Sequence, residues 1–378
     1  MEKRFVVVGS GYAGVLAAVR LARRAGPGAV TLVDPELQLV ERVRLHEKLV
    51  TGRDVSHSVE TLTQGLGITL VRGRVVALDD GQVRLEDGRA LAFDRCIVAT
   101  GSKMARTTPG AAEHAIALEP STTLGARAAL RVADRIVVMG AGLTGVEVAS
   151  EIAETFPDKR VTLVSRALTP SLSSRARAHV ESVLRDLGVE LVIGAGVDRV
   201  DEHVLHVGAR AIPFDLAIDT LGFASEAPAF LSGARDAQGR VLADAAMRAR
   251  DHANVFLAGD LASPEGTLAG EPMIRGCQSA MPSGAHAADA AWASANGGHV
   301  TPFAFMPNGF CVSLGRREGV IDAYGMVLTG RLAAWIKEQV VRYTIASMHW
   351  QASGMDYRWR PFFGAPRKAV PQLTSTLA

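Results

Sequence analysis

The sequence predicts an α/β fold made of two similar halves, each built on a parallel sheet, and a smaller C-terminal segment. The chain has 378 residues, which at about 150 residues per domain suggests two or three domains. A strand, a glycine turn and a helix follow one another twice along the chain. With 48% apolar residues, 38 glycines and 5% aromatic residues, the core is expected to be made of small aliphatic side chains and close backbone contacts.

Charge and cysteine content exclude several classes of protein. Lys and Arg total 41 and Asp and Glu total 39, and a net charge of +2 is too balanced for a nucleic-acid-binding protein. Cys96, Cys277 and Cys311 lack the spacing of zinc ligands, a redox pair or a disulfide framework. The sequence shows neither a signal peptide nor a stretch of about 20 apolar residues. We therefore expect a cytoplasmic protein without a bound metal.

The first repeat begins close to the N-terminus. Residues 5–14 form an apolar strand that runs into Gly-x-Gly-x-x-Gly and then into a helical pattern. Residues 136–145 repeat this arrangement at a constant offset of 131 (140 − 9), and the same offset places residues 31–33 on residues 162–164. Both copies are therefore predicted to hold strand, turn, helix and second strand in one register, as in a Rossmann-like domain.

The two halves also end alike. Residues 83–94 resemble residues 204–215, and each stretch is followed by an apolar run that ends in glycine, at Gly101 and Gly222. Alternating polar and apolar residues before each run predict a small antiparallel hairpin, inserted before a last parallel strand.

The glycines of the two turns suit a pyrophosphate site. The first permits the tight turn, the second lets the backbone approach the pyrophosphate, and the third lets helix and strand pack closely. The helix N-terminus then favours the negative charge. One such motif is weak evidence, but two copies with matching flanks are strong. We therefore predict two dinucleotide sites, at Gly9, Gly11 and Gly14 and at Gly140, Gly142 and Gly145.

The residue after the second strand distinguishes the two copies. In the first copy it is Asp34, whose carboxylate suits the ribose diol of an unphosphorylated adenosine. In the second copy it is Ser165, and Arg166 follows, which favours a 2′-phosphate. We therefore predict NADP, bound as NADPH, at the second site. The alternative is a solvated turn that accepts NAD as well.

With these motifs the chain resembles FAD- and NAD(P)-dependent oxidoreductases that have two dinucleotide-binding domains of the glutathione-reductase type. The resemblance rests on the first turn with Asp34, the strand end at residues 99–101 and residues 255–260, and it covers about residues 1–300. It implies FAD at the first site and NAD(P) at the second. The expected cofactor-binding residues are Gly9, Gly11, Tyr12, Ala13, Gly14, Asp34, Arg42, Thr100, Gly101, Gly140, Gly142, Leu143, Thr144, Gly145, Ser165, Arg166, Gly222, Gly259, Asp260 and Gln278.

The resemblance also implies the domain organisation. The FAD-binding domain is expected to be discontinuous, comprising residues 1–108 and 240–300, with an NAD(P)H-binding domain of residues 109–239 inserted between them. Residues 301–378 form a C-terminal interface segment. In this superfamily the acid that matches Asp260 contacts the ribityl and phosphate part of FAD.

Within the superfamily, the chain is most similar to type II NADH dehydrogenase-like quinone reductases. Residues 41–48 contain no cysteine, although disulfide reductases of this fold carry one or two there. Pro282 stands where the family has its second glutamine beside the quinone. The resemblance implies hydride transfer from NAD(P)H to FAD, then transfer of two electrons to a quinone-like small-molecule acceptor. The matches to the family lie in residues 45–52 and 140–147 and at Gln278, Ala280 and Gly284.

Four residues are candidates for catalysis. The resemblance places Glu147 near the nicotinamide; the alternative is a surface carboxylate favoured by the helix dipole. His46 and Glu47 are candidates for proton delivery beside the flavin, because His titrates near neutral pH; the alternative is a hydrogen-bonded structural histidine. The N–H groups around Gln278, at the start of a predicted helix, would stabilise negative charge on reduced flavin. Cys277 is expected to be a small buried apolar residue.

The C-terminal segment combines a helix with an aromatic cluster. Residues 331–350 predict a helix whose apolar side carries Leu332, Trp335, Ile336, Val340 and Tyr343. The aromatic residues are Trp350, Tyr357, Trp359, Phe362 and Phe363, with Arg358 and Arg360 between them. Three roles are open: peripheral membrane contact, a homodimer interface, or a flap over the flavin. Membrane contact is not favoured, because Glu338 and Gln339 dilute the basic face that such helices carry.

Two other functions stay open. A reductase for an iron–sulfur partner, or a biosynthetic tailoring flavoenzyme, would use the same cofactors with another acceptor. A non-catalytic NAD(P)H-binding redox sensor would dock a partner through its C-terminal segment.

Overall fold

The computed structural model describes residues 3–79, 81–225, 227–265, 273–305 and 307–357. Its framework is a pair of five-stranded parallel sheets, one from each sequence repeat. In both repeats a buried apolar strand leads through the glycine turn into a helix, which returns the chain to the next parallel strand. The predicted α/β fold with two Rossmann-like sheets is confirmed.

The first sheet has β1 (Phe5–Val8) at its centre and α1 (Tyr12–Ala25) packed against it. All four residues of β1 are buried and apolar, as expected for a strand covered on both faces. Across the sheet the strands run β21 (Val255–Leu257), β9 (Arg95–Val98), β1, β2 (Val30–Asp34) and β5 (Thr69–Arg72).

The second sheet repeats this order with β12 (Arg135–Met139) in the place of β1 and α6 (Leu143–Thr155) in the place of α1. Its strands run β11 (Ile116–Ala117), β18 (Leu216–Asp219), β12, β13 (Arg160–Ser165) and β14 (Glu190–Ile193).

An antiparallel insertion precedes the last strand of each repeat, as predicted, but each insertion has three strands where a two-stranded hairpin was expected. The first comprises β6 (Val75–Asp79), β7 (Gln82–Leu85) and β8 (Ala90–Ala92). The second comprises β15 (Arg199–Val200), β16 (Val204–Val207) and β17 (Arg210–Pro213).

The chain passes between the two sheets through short paired strands. β10 (Ser102–Met104) and β19 (Phe223–Ser225) pair antiparallel, and β20 (Val241–Ala243) pairs with β22 (Ala262–Pro264). β21 then pairs with β9. The last strand of the first sheet therefore comes after all strands of the second sheet in the sequence. The boundaries at residues 108, 239 and 300 stay a prediction.

The remaining elements connect and cover the sheets. Helix α8 (Cys277–Ala295) packs closely on α1, and a Cβ added to Gly284 would overlap the backbone of Ala13. The other elements are β3 (Gln38–Val40), α2 (Leu45–Thr51), β4 (Ser56–Ser58), α3 (Val59–Thr63), α4 (Ala111–His114), α5 (Thr123–Val132) and α7 (Ser174–Asp186), with 3₁₀ turns at Arg42–Arg44 and Gly259–Leu261.

The C-terminal segment is an antiparallel sheet followed by a long helix. β23 (Phe310–Leu314), β24 (Glu318–Ala323) and β25 (Met326–Thr329) pack on α6 and α7, and α9 (Arg331–Ser353) lies on that sheet and on α1. Helix α9 confirms the predicted helix. Trp359, Phe362, Phe363, Arg358 and Arg360 of the aromatic cluster lie outside the described residues.

Two large groups of buried apolar residues form the core. One surrounds the first sheet together with α1 and α8. The other covers one face of the second sheet and includes Leu45 and Leu49 of α2 and Val312 of β23. A smaller third group, which includes Val137, Met139 and Val164, covers the opposite face. The second core therefore joins the second sheet to the C-terminal segment. Among the described helices, none combines the length and the apolar character needed to cross a bilayer.

Candidate active site and cofactor sites

The first glycine turn has the shape that a pyrophosphate requires. Gly9 has a φ of +105°, and a Cβ added there would lie 2.5 Å from the carbonyl oxygen of Ala99. A Cβ on Gly14 would overlap the carbonyl oxygen of Gly9, so both positions exclude a side chain. Gly11, by contrast, has no other atom within 4 Å of an added Cβ. That open space at the N-terminus of α1 suits the phosphates of a dinucleotide.

The second turn has the same geometry. Gly140 has a φ of +102°, and its added Cβ would lie 2.7 Å from the carbonyl oxygen of Thr220. A Cβ on Gly145 would overlap the carbonyl oxygen of Gly140, while Gly142 again faces open space. Leu143 and Thr144, expected near the phosphates, begin α6 directly after this opening.

The ribose positions differ between the two sites, as the sequence indicates. Asp34 Oδ2 accepts from the backbone N–H of Ser10 at 2.9 Å, which holds the carboxylate beside the first turn. Ser165 ends β13 and is half-buried, and Arg166 is exposed. The loop that follows is tied to the second turn, since the backbone N–H of Thr169 donates to Ala141 O at 2.7 Å. The loop that follows Arg166 therefore lies beside the second nucleotide turn, and the Arg166 side chain lies near Gly196.

Asp260 connects three elements at the edge of the first site. Its Oδ2 accepts from Ser102 Oγ at 2.7 Å and its Oδ1 from the N–H of Gly276 at 2.9 Å. Gly259, with a φ of +69°, donates its N–H to Ser283 Oγ at 2.9 Å. Asp260 thus holds the start of α8 beside the strand end. Thr100 and Gly101 follow β9 at the same edge of the sheet.

Tyr12 and Arg42 were both expected to bind cofactor. The Tyr12 hydroxyl is buried without a hydrogen-bond partner among the described residues. Burial, together with the nearby Cys277 thiol, raises the pKa of Tyr12 well above its usual value. Arg42 donates to Ser102 O at 2.9 Å and lies 3.4 Å from Glu119 Oε2. The unpaired hydroxyl of Tyr12 is free to meet a ligand, whereas Arg42 already bridges the two halves.

Glu147 lies in a buried ion pair that sequence reasoning missed. Its Oε1 accepts from Lys337 Nζ and from the backbone N–H of Ser313, the latter at 3.1 Å. Lys337 also donates to Ser313 Oγ. Glu147 is 8% and Lys337 7% exposed, so the alternative of a surface carboxylate is wrong. Lys337 is the one charged residue on the side of α9 that also carries Ala333 and Val341, but the sequence does not show that this side is the buried one.

His46 lies on the other side of Glu147, with Nδ1 3.9 Å from Glu147 Oε2. Complete burial lowers the pKa of His46 well below 6.5, and the charges of Lys337, Arg316 and Arg44 lower it further. His46 is therefore neutral at pH 7. At 3.9 Å it makes no hydrogen bond to Glu147, and its neutral form disfavours the predicted role of His46 in proton delivery as an imidazolium.

Glu47 belongs to an array of charges around Arg44. The Arg44 guanidinium contacts Glu41 at 3.2 Å, Glu47 at 2.6 Å and Glu338 of α9 at 2.8 Å. Glu47 also accepts from Arg53 at 3.0 Å. Two guanidinium groups hold the Glu47 carboxylate, which favours a positioning role for Glu47 over the predicted role in proton delivery.

Gln278 lies at the start of α8 and is fixed by one end of its amide. Nε2 donates to Gly309 O at 2.9 Å, and Oε1 is buried without a partner among the described residues. Gly309 directly precedes β23, the strand that also carries Ser313. The thiol of Cys311 lies near Cys277, a proximity that the sequence did not reveal. Burial, together with this thiol, raises the pKa of Cys277 to about 12. Strand β23 thus connects Gln278 with the Glu147–Lys337 pair.

The chain fits both dinucleotides. The open space at Gly11 and Gly142 suits the two pyrophosphates, and the carboxylate of Asp34 suits a ribose diol. The family model for pyridine nucleotide-disulphide oxidoreductases matches residues 3–291, well over half of the chain. The chain belongs to this family. It is an enzyme, a flavoprotein oxidoreductase that binds FAD and NAD(H).

Its relatives identify the branch of the family. It shares 24% identity with the type II NADH:quinone oxidoreductase of Staphylococcus haemolyticus, covering 90% of this chain and 94% of the relative. It shares 27% identity with ferroptosis suppressor protein 1 of Xenopus tropicalis, covering 68% and 74%. The structure of NDH2 from Plasmodium falciparum in complex with NADH superposes with a TM-score of 0.78 at 14% identity, covering 97% and 99%. The predicted resemblance to type II NADH dehydrogenase-like enzymes is confirmed.

Proposed function

We propose that this enzyme oxidises NADPH in preference to NADH and reduces a quinone-like small molecule. The buried Glu147–Lys337 pair carries this proposal. It lies between the second nucleotide domain and α9, and β23 links it to Gln278. We infer that this pair relays the proton that a quinone needs and that a one-electron iron–sulfur acceptor does not need.

The balanced reaction is that NAD(P)H, one proton and a quinone give NAD(P)⁺ and a quinol. When bound, FAD accepts the hydride from NAD(P)H and donates two electrons to the quinone. Lys337 Nζ, held by Glu147, would pass a proton to a quinone oxygen and regain one from solvent. Gln278 Oε1, which has no partner among the described residues, would accept a hydrogen bond from the reduced acceptor. With FAD bound, the N–H groups at the start of α8 would stabilise negative charge on the reduced flavin.

The preference for NADPH rests on the second ribose position. Ser165 removes the carboxylate that Asp34 supplies in the first copy, and the exposed Arg166 supplies a guanidinium. Within this proposal, the FAD-binding domain comprises residues 1–108 and 240–300, and the NAD(P)H-binding domain comprises residues 109–239. We propose that the enzyme acts in the cytoplasm.

A stopped-flow experiment on the FAD-loaded enzyme tests the proposal. We expect fast flavin bleaching by NADPH, slower bleaching by NADH, and fast reoxidation by a short-chain quinone but not by a ferredoxin. The Lys337→Met protein should keep fast bleaching and lose fast reoxidation by the quinone. Reoxidation by ferredoxin alone, or slow bleaching with a lasting charge-transfer band, would point to one of the alternative functions.

A further inference from the structure

Strand β23 lies at the edge of its sheet, and side chains of α6 hold that edge. Glu147 Oε1 accepts from the backbone N–H of Ser313 at 3.1 Å, and Ser150 Oγ accepts from that of Gly315 at 3.0 Å. The two α6 residues are one helical turn apart, and the two β23 positions are two residues apart. This match fixes the register of β23 against α6, so Ser313 is held beside Glu147.

A glycine lets α9 approach this strand closely. Gly319 of β24 lies opposite Ser313 in the sheet. A Cβ added to Gly319 would lie 2.8 Å from the backbone nitrogen of Ala334 in α9, so a side chain there would push the helix away. Lys337 follows Ala334 by about one turn. Its ammonium therefore reaches Ser313 and donates to Ser313 Oγ.

Lys337 uses two of its three N–H groups within the protein. One goes to Glu147 Oε1 and one to Ser313 Oγ, and no other described side chain accepts from Nζ. The third N–H is therefore left for an acceptor molecule. The contact with Glu147 is buried, whereas the contact with Ser313 is only partly buried. Ser313 is itself half-buried, so it lies between the buried ammonium and the solvent.

A lysine that has given up its proton must regain one before the next turnover. Among the described neighbours of the pair, His46 lies beyond Glu147 and is buried and neutral, so it brings no proton from solvent. A serine hydroxyl accepts one hydrogen bond and donates another, so it can pass a proton from water to an amine. Ser313 combines this chemistry with contact to Lys337 and access to the surface.

We propose that Ser313 is the residue through which Lys337 regains its proton from solvent. This inference rests on the proposed function, in which an N–H bond of Lys337 breaks and the proton goes to a quinone oxygen. The O–H proton of Ser313 then moves to Nζ, and a proton from water replaces it on Oγ. The net uptake is one proton from solvent for each quinone reduced. Ser313 acts through Lys337 and not on the acceptor itself.

A comparison of the first turnover with later ones tests the proposal. FAD-loaded enzyme reduced anaerobically by one equivalent of NAD(P)H starts with a charged Lys337. Menadione should therefore reoxidise Ser313→Ala as fast as wild type in this single turnover. In steady state, menadione turnover by Ser313→Ala should fall about 10-fold, because a positioned proton-transfer group is worth about 100-fold or more and a water molecule replaces part of it. Ser313→Thr keeps the hydroxyl and should match wild type in both measurements.

Ser150→Ala is the matched control, because it removes a hydroxyl from the same contact between α6 and β23 but not one bonded to Lys337. It should leave both rates unchanged. Reoxidation by ferricyanide, which takes electrons without protons, should be equal in all these proteins. Visible flavin absorbance and thermal unfolding show that each variant is folded.

Proton exchange of the resting enzyme gives a second measurement that needs no turnover. Nitrogen NMR of protein labelled at lysine reports the exchange of the Lys337 ammonium protons with water, and Lys337→Met identifies the signal. Exchange should be at least several-fold slower in Ser313→Ala than in wild type, Ser150→Ala or Ser313→Thr.

Two results overturn the inference. A slow first turnover in Ser313→Ala would mean that Ser313 only positions Lys337. An unchanged steady-state rate and unchanged proton exchange would mean that protons reach Lys337 by another route. Failure of the proposed function looks different, because menadione would then fail to reoxidise the wild type, or would reoxidise Lys337→Met at the wild-type rate in the first turnover.

Discussion

The first helices of the two repeats, α1 and α6, attach to the rest of the chain with opposite charges at equivalent positions. On α1, Arg20 donates to Asp289 of α8 at 2.6 and 2.7 Å and to the Gln351 side chain of α9 at 3.1 Å. At the equivalent position of α6, Glu151 accepts from Arg316 at 2.6 Å, in the turn between β23 and β24. Each nucleotide domain therefore has its own polar attachment to the C-terminal segment.

One turn earlier the two helices carry different kinds of side chain. Leu16 of α1 is fully buried in the first core, whereas its counterpart on α6 is Glu147, bonded to Lys337. A leucine contributes packing alone, while a buried carboxylate must be paired and is costly to keep. The side chain at this helix position therefore stabilises the core in the first copy and, in our proposal, takes part in proton transfer in the second.

The largest expected effect on cofactor binding comes from the third glycine of each turn. An added Cβ in Gly14→Ala or Gly145→Ala overlaps the carbonyl oxygen of the first glycine, so the turn must open at a cost of about 3 kcal/mol. Gly14→Ala should purify without FAD. Gly145→Ala should keep FAD but not be reduced by NADPH. Visible flavin absorbance after gel filtration and stopped-flow bleaching measure the two effects.

Gly125→Ala is the matched control, because Gly125 lies in α5 and its added Cβ meets no atom within 4 Å. That change should leave FAD content intact and stabilise the helix by up to about 1 kcal/mol. Loss of FAD from Gly145→Ala as well would show that the two turns do not act independently.

The next prediction separates the effect of Glu147 on stability from its proposed effect on proton transfer. Glu147→Leu copies the first repeat and leaves Lys337 buried without its carboxylate, so we expect a loss of about 3–5 kcal/mol. Glu147→Leu with Lys337→Met should regain most of this stability, yet quinone turnover should stay about 100-fold low for want of a proton source. Thermal unfolding measures the stability, and a steady-state assay measures quinone turnover. Full recovery of turnover in the double variant would show that the Glu147–Lys337 pair has a structural role alone.

Local patterns in the sequence account for the parts that were predicted. The glycine turns and the repeated strands are set by neighbouring residues, so Gly9, Gly14, Gly140 and Gly145 could be assigned from their spacing alone. The ion pair could not be assigned in this way, because Lys337 lies 190 residues after Glu147. Only the packing of α6 and α9 on the same strand, β23, brings the two side chains together.

Helix α9 shows the same limit. Its periodicity identifies an apolar side with Trp335 and Tyr343, but that side is the exposed one. The buried side includes Lys337, Thr344 and Gln351. Their partners come from distant parts of the chain, as Arg20 does for Gln351, so hydrophobicity along the helix does not tell which side faces inward.

A smaller effect tests the difference between the ribose positions. Arg166→Glu should lower kcat/KM for NADPH about 10-fold, since an exposed charge-assisted bond to phosphate is worth little more, and should leave NADH almost unchanged. Arg131→Glu, an equal charge change at an exposed position of α5, is the control. An unaltered ratio of NADPH to NADH efficiency in Arg166→Glu would refute the proposed preference.

The smallest effect concerns His46, whose pKa burial lowers well below 6.5. The unfolded chain takes up a proton there below about pH 6.5, and native His46, facing Lys337, Arg316 and Arg44, does not. The wild type therefore loses stability as the pH falls from 7 to 5, by at most about 1.4 kcal/mol per pH unit from this group. His46→Gln should lose less over that range. Thermal unfolding of both FAD-loaded proteins at several pH values measures the difference, and parallel curves would mean that the pKa of His46 is the same in the native and the unfolded protein.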